Sequence, residues 1–239
     1  MNVLVACEES QAVTTEMRKL GHVAWSCDVI ECSGGHPEWH IQSDVTPLLN
    51  GGGYRFETMD GETHYVDHWD LVIAHPPCTY LTNAGAVRMR VNGQIQPERY
   101  ERAMQAKAFF MKCYNADAPR VAVENPTPMK LVGLPPYTQA IQPYQFGHPY
   151  SKRTCLWLKG LPPLVPTDII ADHQPYVNGG CKDANGNYRR FQGRNERDPR
   201  TRSKTFPGIA RAMAEQWAGN AWEQQQIESK SQWLDRILT

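Results

Sequence analysis

The chain has 239 residues, of which 41% are hydrophobic: enough for one α/β domain with a small addition, or for two small domains. Lysine plus arginine and aspartate plus glutamate balance at 25 each, so the global field favours no partner, and nucleic acid would need segregated charge. Seven cysteines without a paired framework exclude a secreted disulfide scaffold, and no apolar run suits a signal peptide or a membrane span; the expectation is a soluble cytoplasmic monomer with no membrane partner.

In chain order, residues 2–7 (NVLVAC) read as a short buried strand. Ser10 can cap the next segment, where Val13, Met17 and Leu20 fall at helical spacing and Gly21 closes the helix. Residues 22–28 (HVAWSCD) give a second strand ending in Asp28, and 41–45 (IQSDV) a third ending near Asp44. Residues 54–66 alternate around Asp60-Gly61, a hairpin that departs from the main sheet. Residues 69–75 (WDLVIAH) return as a buried strand and run into Pro76-Pro77-Cys78.

Pro97 starts a helix through about Tyr114, with Ala103, Ala106, Phe110 and Cys113 on one face. Residues 120–125 (RVAVEN) form a strand stopped by Pro126, and 153–160 (RTCLWLKG) a further one. Residues 161–204 turn rich in Pro, Gly, Asn and Arg. Residues 208–222 then read as an amphipathic helix, with a helical tail to Thr239. Strands alternating with helices imply a mostly parallel sheet.

Ligands of open α/β sheets sit outside the carboxyl ends of the strands. Five strand ends here carry chemistry: Cys7-Glu8-Glu9-Ser10, Asp28, Asp44, Pro76-Pro77-Cys78 and Glu124-Asn125-Pro126. Asp28 suits the hydroxyls of a ribose and Asp44 an adenine amino group, though either also suits a simple turn. Cys78 needs a lowered pKa to act as a nucleophile, which a following helix N-terminus would supply. Glu124 can hold or protonate a substrate nitrogen.

The motifs HPPCTYL, VENP and FGHPYSKRTCLWLKG, in that order behind a nucleoside-binding unit, resemble those of the DNA cytosine-5 methyltransferases. The likeness covers most of residues 1–160. VACEES and CSGGHPEWH bring the chain nearer still to short, often phage-encoded cytosine methylases, which implies a bacterial or phage-infected host cell. The resemblance implies a Rossmann-like methyltransferase fold with flanking helices and a small irregular insert. S-adenosylmethionine is the implied cofactor and DNA the implied partner. Cys78 would be the nucleophile, with Glu124, Lys152 and Arg153 beside it, and Ala6, Cys7, Glu8, Ser10, Asp28, Asp44 and Pro76 would line the cofactor site.

The chain departs from the family's pattern in its cofactor turn, in its later strand motif and in a specificity region, 161–204, shorter than is usual there. The cofactor turn has no glycine, and its two carboxylates would repel a carboxylate ligand unless they point away or grip its ammonium. Tyr150, Lys152 and Thr154 stand where the family has Gln, Arg and Arg.

We read 1–160 as the catalytic domain, 161–204 as a short recognition-like insert and 205–239 as helices returning to the catalytic domain. Residues 182–204 carry eight Lys/Arg against three Asp/Glu, with Tyr188 and Phe191 interleaved. Arg189, Arg190, Arg194, Arg197, Arg200 and Arg202 are therefore candidate DNA contacts. Cys27, Cys32, His36 and His40 have a spacing that could hold zinc, but ordinary loop hydrogen bonding is the favoured reading, and no metal is expected. His75 reads as a loop-orienting residue. Two alternatives remain: another pyrimidine-modifying or amino-methylating enzyme on the same scaffold, and a catalytically inactive DNA-binding homologue.

Overall fold

The structure is a computed structural model, and it describes residues 1–177, 179–182, 188–191 and 198–219. Seven strands make the central sheet: β1 (Asn2–Ala6), β2 (Val23–Asp28), β3 (His40–Gln42), β4 (Leu71–Ala74), β5 (Arg120–Pro126), β6 (Gln139–Ile141) and β7 (Thr154–Lys159). Their order across the sheet is β6-β7-β5-β4-β1-β2-β3. The strands from β5 to β3 are parallel, and β7 alone runs against its neighbours. The chain moves outward from β1 to β3 and then crosses to β4 on the other side of β1. The carboxyl ends of β1 and β4 therefore flank a topological switch point, as in Rossmann-like α/β folds.

The strands are buried on both faces, which is why their sequences are nearly unbroken β-branched and apolar runs. Alternate side chains serve two separate cores. Val3 and Val5 of β1, Leu71 and Ile73 of β4 and Leu156 of β7 face helices α1 (Ala12–Lys19) and α3 (Pro207–Trp217). Leu4, Val72, Val121, Val123 and Trp157 face the side covered by α2 (Pro97–Tyr114). Small residues Ala210 and Ala214 of α3 let it pack beside Val13 and Met17 of α1. On the other face Phe110 of α2 meets Trp157 edge-on at 4.9 Å. Each such fully buried large side chain contributes roughly 1.5–3 kcal/mol.

The hairpin is present as Tyr54–Glu57 paired with Thr63–Val66, outside the main sheet. It is anchored by rings: Phe56 packs on Trp25 at 5.2 Å and Tyr54 on Trp69 at 5.2 Å. Gly61 at its turn has a φ of 86°, which glycine adopts at no steric cost.

Two expectations need correction here. Ser10 does not cap α1; the residue before the helix is Gln11, in a left-handed conformation at φ 56°, and the helix end is held by Glu8 instead. The helix read from residue 208 runs Pro207–Trp217, and the tail expected to be helical (220–239) lies outside the described residues. No described helix is long and apolar enough to cross a membrane.

Candidate active site

The carboxyl rim of the sheet gathers the groups named from sequence. Because β7 is antiparallel, its beginning, not its end, reaches this rim. Its register sets Thr154 opposite Pro126 and Cys155 opposite Asn125, and so delivers Lys152 to the neighbourhood of Glu124.

Cys78 follows β4 through Pro76 and Pro77, whose fixed φ stiffens the step. The loop is further tied from β5: Asn125 Nδ2 donates to the Pro76 carbonyl at 2.8 Å. Glu124, one residue earlier, accepts from His75 Nδ1 across 3.2 Å. The Glu-Asn pair thus splints the Pro-Pro-Cys loop with both side chains. Lys152 donates through Nζ to the Arg202 carbonyl at 2.7 Å and lies over the Phe206 ring.

These groups lie close enough to shift one another's ionisation. Burial favours a neutral Glu124, yet the bond and charge of His75, with Lys152, hold its pKa below the usual carboxylate range. Burial favours a neutral His75, yet Glu124, with Glu8 beyond it, raises its pKa; Lys152 opposes. Burial lowers the pKa of Lys152, against the pull of Glu124 and Cys78.

The lowered pKa that Cys78 would need as a nucleophile is not what its surroundings favour. Solvent reaches the residue, but desolvation of its thiol and the charge of Glu124 push its pKa up, and Lys152 and Arg202 only partly offset them. The segment that follows is a 3-10 turn over Asn83–Arg88, not an α-helix whose dipole would offset those two effects.

Arg153 turns elsewhere. It donates to the Tyr137 hydroxyl at 2.8 Å and bonds the Cys155 side chain, the two contacts that raise its pKa.

The turn after β1 departs from expectation in an instructive way. Cys7 takes a left-handed conformation at φ 58°, a geometry usually left to glycine. Glu8 points away from the rim. Its carboxylate accepts from the Val13 amide at 2.6 Å, the Thr14 amide at 3.2 Å and the Thr14 hydroxyl at 2.7 Å, so it supplies the negative charge that a helix N-terminus attracts. Glu9 accepts from Arg200 Nη2 at 3.1 Å, while its Oε1 is buried without a hydrogen-bond partner. Burial raises the Glu9 pKa, but bonds from Arg200 and Ser33 and the charge of Lys204 bring it below the ordinary value. The two carboxylates are thus handled separately: one serves the helix, and the other keeps an open oxygen.

Ala6 is buried as the last residue of β1, and Ser10 is half-buried beyond the turn. Asp28 stands at the end of β2 and accepts from the Ile30 amide at 3.3 Å. Asp44 is exposed and accepts from the Thr46 amide at 2.9 Å, the contact that lowers its pKa; in the structure it does the work of a turn residue.

Cys27, Cys32, His36 and His40 do not converge. His40 bonds Ser26 and the Ile30 carbonyl, His36 bonds Glu38, and Cys27 donates to the Ser43 carbonyl, its pKa raised to about 12 chiefly by burial. Among the described residues no group of His, Cys, Asp or Glu could hold a metal ion.

Of the basic segment, Arg200 and Arg202 lie in a short helix, Pro199–Ser203, capped by Asp198. That helix crosses the rim: Arg200 reaches Glu9, and the Arg202 carbonyl receives Lys152. Arg189 and Arg190 lie on a strand, Tyr188–Phe191, paired with Gly179–Lys182. Arg194 and Arg197 lie outside the described residues.

Two contacts at or near the rim are not legible in the sequence, and which of the turn's two carboxylates stays open is settled only by the fold. His75 was read only as a loop residue, although it sits directly against Glu124. Tyr80, two residues after Cys78, is flanked by Arg99 at 5.0 Å and by Arg102, which donates to its hydroxyl at 3.1 Å. The signal for Tyr80 was an aromatic beside the thiol together with arginines one helix away.

The fold and rim define a Rossmann-like α/β domain with a cluster of thiol, imidazole, carboxylate and ammonium groups beside its switch point. No protein-family profile and no curated protein matches the chain. Among solved structures, the chain is similar to a provisionally named DNA modification methyltransferase encoded within an Escherichia coli prophage. That similarity has 13% identity and a TM-score of 0.40, and it covers 74% of this chain. The match spans 53% of the length of that protein.

Proposed function

We propose that this chain is an S-adenosylmethionine-dependent DNA cytosine-5 methyltransferase. The observation that carries the reading is the meeting of Cys78, Glu124 and Lys152 at one rim, beside a turn suited to a charged nucleoside. The residues fit such a cofactor on one clear count. The unpartnered, buried Oε1 of Glu9 offers an acceptor to an ammonium group, and Glu8 is turned away from the rim. Ala6, Cys7, Ser10, Asp28, Asp44 and Pro76 would line the rest of that site. When bound, S-adenosylmethionine supplies an electrophilic methyl group.

The chain's own residues would do the following. The target cytosine is everted from the helix to reach the rim. The Cys78 thiolate adds to carbon 6, forming an S–C bond and moving the π pair onto carbon 5. The proton given up by the Cys78 thiol reaches ring nitrogen 3 by way of Glu124, which also accepts from the exocyclic amine, and so neutralises the charge that develops. Once carbon 5 carries the methyl group, a base removes its proton. The released pair restores the double bond, and the Cys78 sulfur leaves. Lys152 holds a positive charge near the thiolate, and Arg153 would support the same strand. Residues 161–204 would contact DNA through Arg189, Arg190, Arg194, Arg197, Arg200 and Arg202.

The test is methyl incorporation into DNA, with nucleoside mass analysis of the product and a fluorinated-cytosine oligonucleotide as trap. Transfer to carbon 5 and a covalent adduct on Cys78 are expected; an adduct that persists in Cys78→Ser overturns the assignment. A second reading, a DNA-binding homologue without catalysis, draws on one observation: the raised Cys78 pKa. Calorimetry with S-adenosylmethionine separates the two, since absence of binding favours the second.

A further inference from the structure

His75 is one-tenth exposed and lies between β4 and the Pro-Pro step. Its Nδ1 faces Glu124 Oε2 at 3.2 Å, and its Nε2 is buried with no hydrogen-bond partner. The charged groups around it come from three further elements: Glu124 from β5, Glu8 from the turn after β1, and Lys152 from the approach to β7. Cys78 in turn feels Glu124, Lys152 and Arg202. A buried carboxyl group left alone takes up a proton, whereas one held against an imidazolium keeps its charge.

We propose that His75 is a positioning residue: it holds Glu124 as a carboxylate, and that charge, added to the burial of the sulfur, keeps Cys78 a thiol until a nucleobase at the rim engages Glu124. The identity of that base rests on the reading given under Proposed function; the charge coupling does not.

The physical sequence is short. In the empty site a negative charge near the sulfur disfavours thiolate. When the amino group of a pyrimidine bonds to Glu124, the carboxylate takes the thiol's proton and shares it with ring nitrogen 3, so the negative charge beside the sulfur is lost. Lys152 and Arg202 then dominate the field at the sulfur, and the thiolate forms where it can attack. Between turnovers the nucleophile is protected from stray alkylation and oxidation, because these follow the thiolate fraction.

The test uses the full chain without DNA. Iodoacetamide labelling of Cys78 is followed from neutral to alkaline pH, with peptide mass mapping to separate it from the other cysteines. In Glu124→Gln the labelling midpoint is expected to fall by about one pH unit, with labelling at neutral pH faster by roughly tenfold. In the same variant the His75 imidazole, followed by NMR, should titrate at least about one unit lower than in the wild type. In His75→Asn the carboxyl group loses its countercharge and takes up a proton, so Cys78 labelling at neutral pH rises as well.

An unchanged labelling profile in Glu124→Gln, or an unchanged His75 midpoint, overturns the proposal. If His75→Asn fails to fold, the Glu124→Gln pair of measurements decides alone. If the shifts are found but the chain transfers no methyl group, the proposed function fails and the coupling stands. Methyl transfer without the shifts has the opposite meaning.

Discussion

The turn after β1 and the loop after β4 sit side by side at the same rim, yet they treat charge in opposite ways. After β1, Glu8 is buried in the fold itself, closing the end of α1, and Glu9 is bridged by Arg200 from a distant segment. After β4, Cys78, His75, Glu124 and Lys152 face one another and shift one another's ionisation. The first arrangement builds structure around one remaining open oxygen. The second leaves a cluster of groups that shift one another's ionisation, with Glu8 and Arg202 adding to the field, a setting in which functional sites are often found.

The largest effect expected from breaking this contrast is at the sulfur. Cys78→Ser should lower methyl transfer by at least about a thousandfold, because a nucleophile and its partners act as a unit. The same change should leave stability within about 0.5 kcal/mol, since the residue is reached by solvent. Scintillation counting of methyl transfer and urea denaturation check the two halves. Glu124→Gln comes next, with a loss of roughly 10²–10³ in kcat because an amide cannot carry a proton to ring nitrogen 3 as negative charge develops there. Single-turnover kinetics would read it.

The first region should answer in stability. Glu8→Ala removes the acceptor at the start of α1 and is expected to cost about 1–2 kcal/mol, measured as a lower denaturation midpoint. Arg200→Ala should have the smallest effect, under about 1 kcal/mol, because its guanidinium is half exposed. Its pH dependence has a definite sign. Glu9 has a lowered pKa in the folded chain, so its contribution is present above the unfolded carboxylate value and is lost as pH falls through the folded one. Arg200→Ala should therefore flatten the acid side of the stability curve, as urea titrations at neutral and acidic pH would show.

The fold was legible wherever local pattern and tertiary demand agreed. The buried runs of β1, β4 and β5, the helix from Pro97 to Tyr114 and the Asp60-Gly61 hairpin all follow from residue type and spacing. The short β6 strand, Gln139–Ile141, carried no such signal, because its place is set by pairing with β7. At the rim, the strand-end residues could be named from sequence, but their partners could not. Glu8 reaches α1 only because Cys7 and Gln11 both adopt left-handed conformations that no propensity favours there. His75 and Glu124 stand 49 residues apart, and their contact depends on β4 and β5 being neighbours. The raised Cys78 pKa depends on burial of the thiol and on the charge of Glu124, which a neighbouring strand brings beside it.

The reversed strand β7 has one more consequence. The segment following it leaves from the end of the sheet opposite the reactive rim, and α3 closes it by packing on α1. Both ends of the 161–204 stretch are thereby moored to the hydrophobic interior. That stretch is itself tied to the reactive rim, by Arg200 on Glu9 and by the Arg202 carbonyl on Lys152, so exchanging it would take two contacts away from the edge where the sulfur and its carboxylate stand.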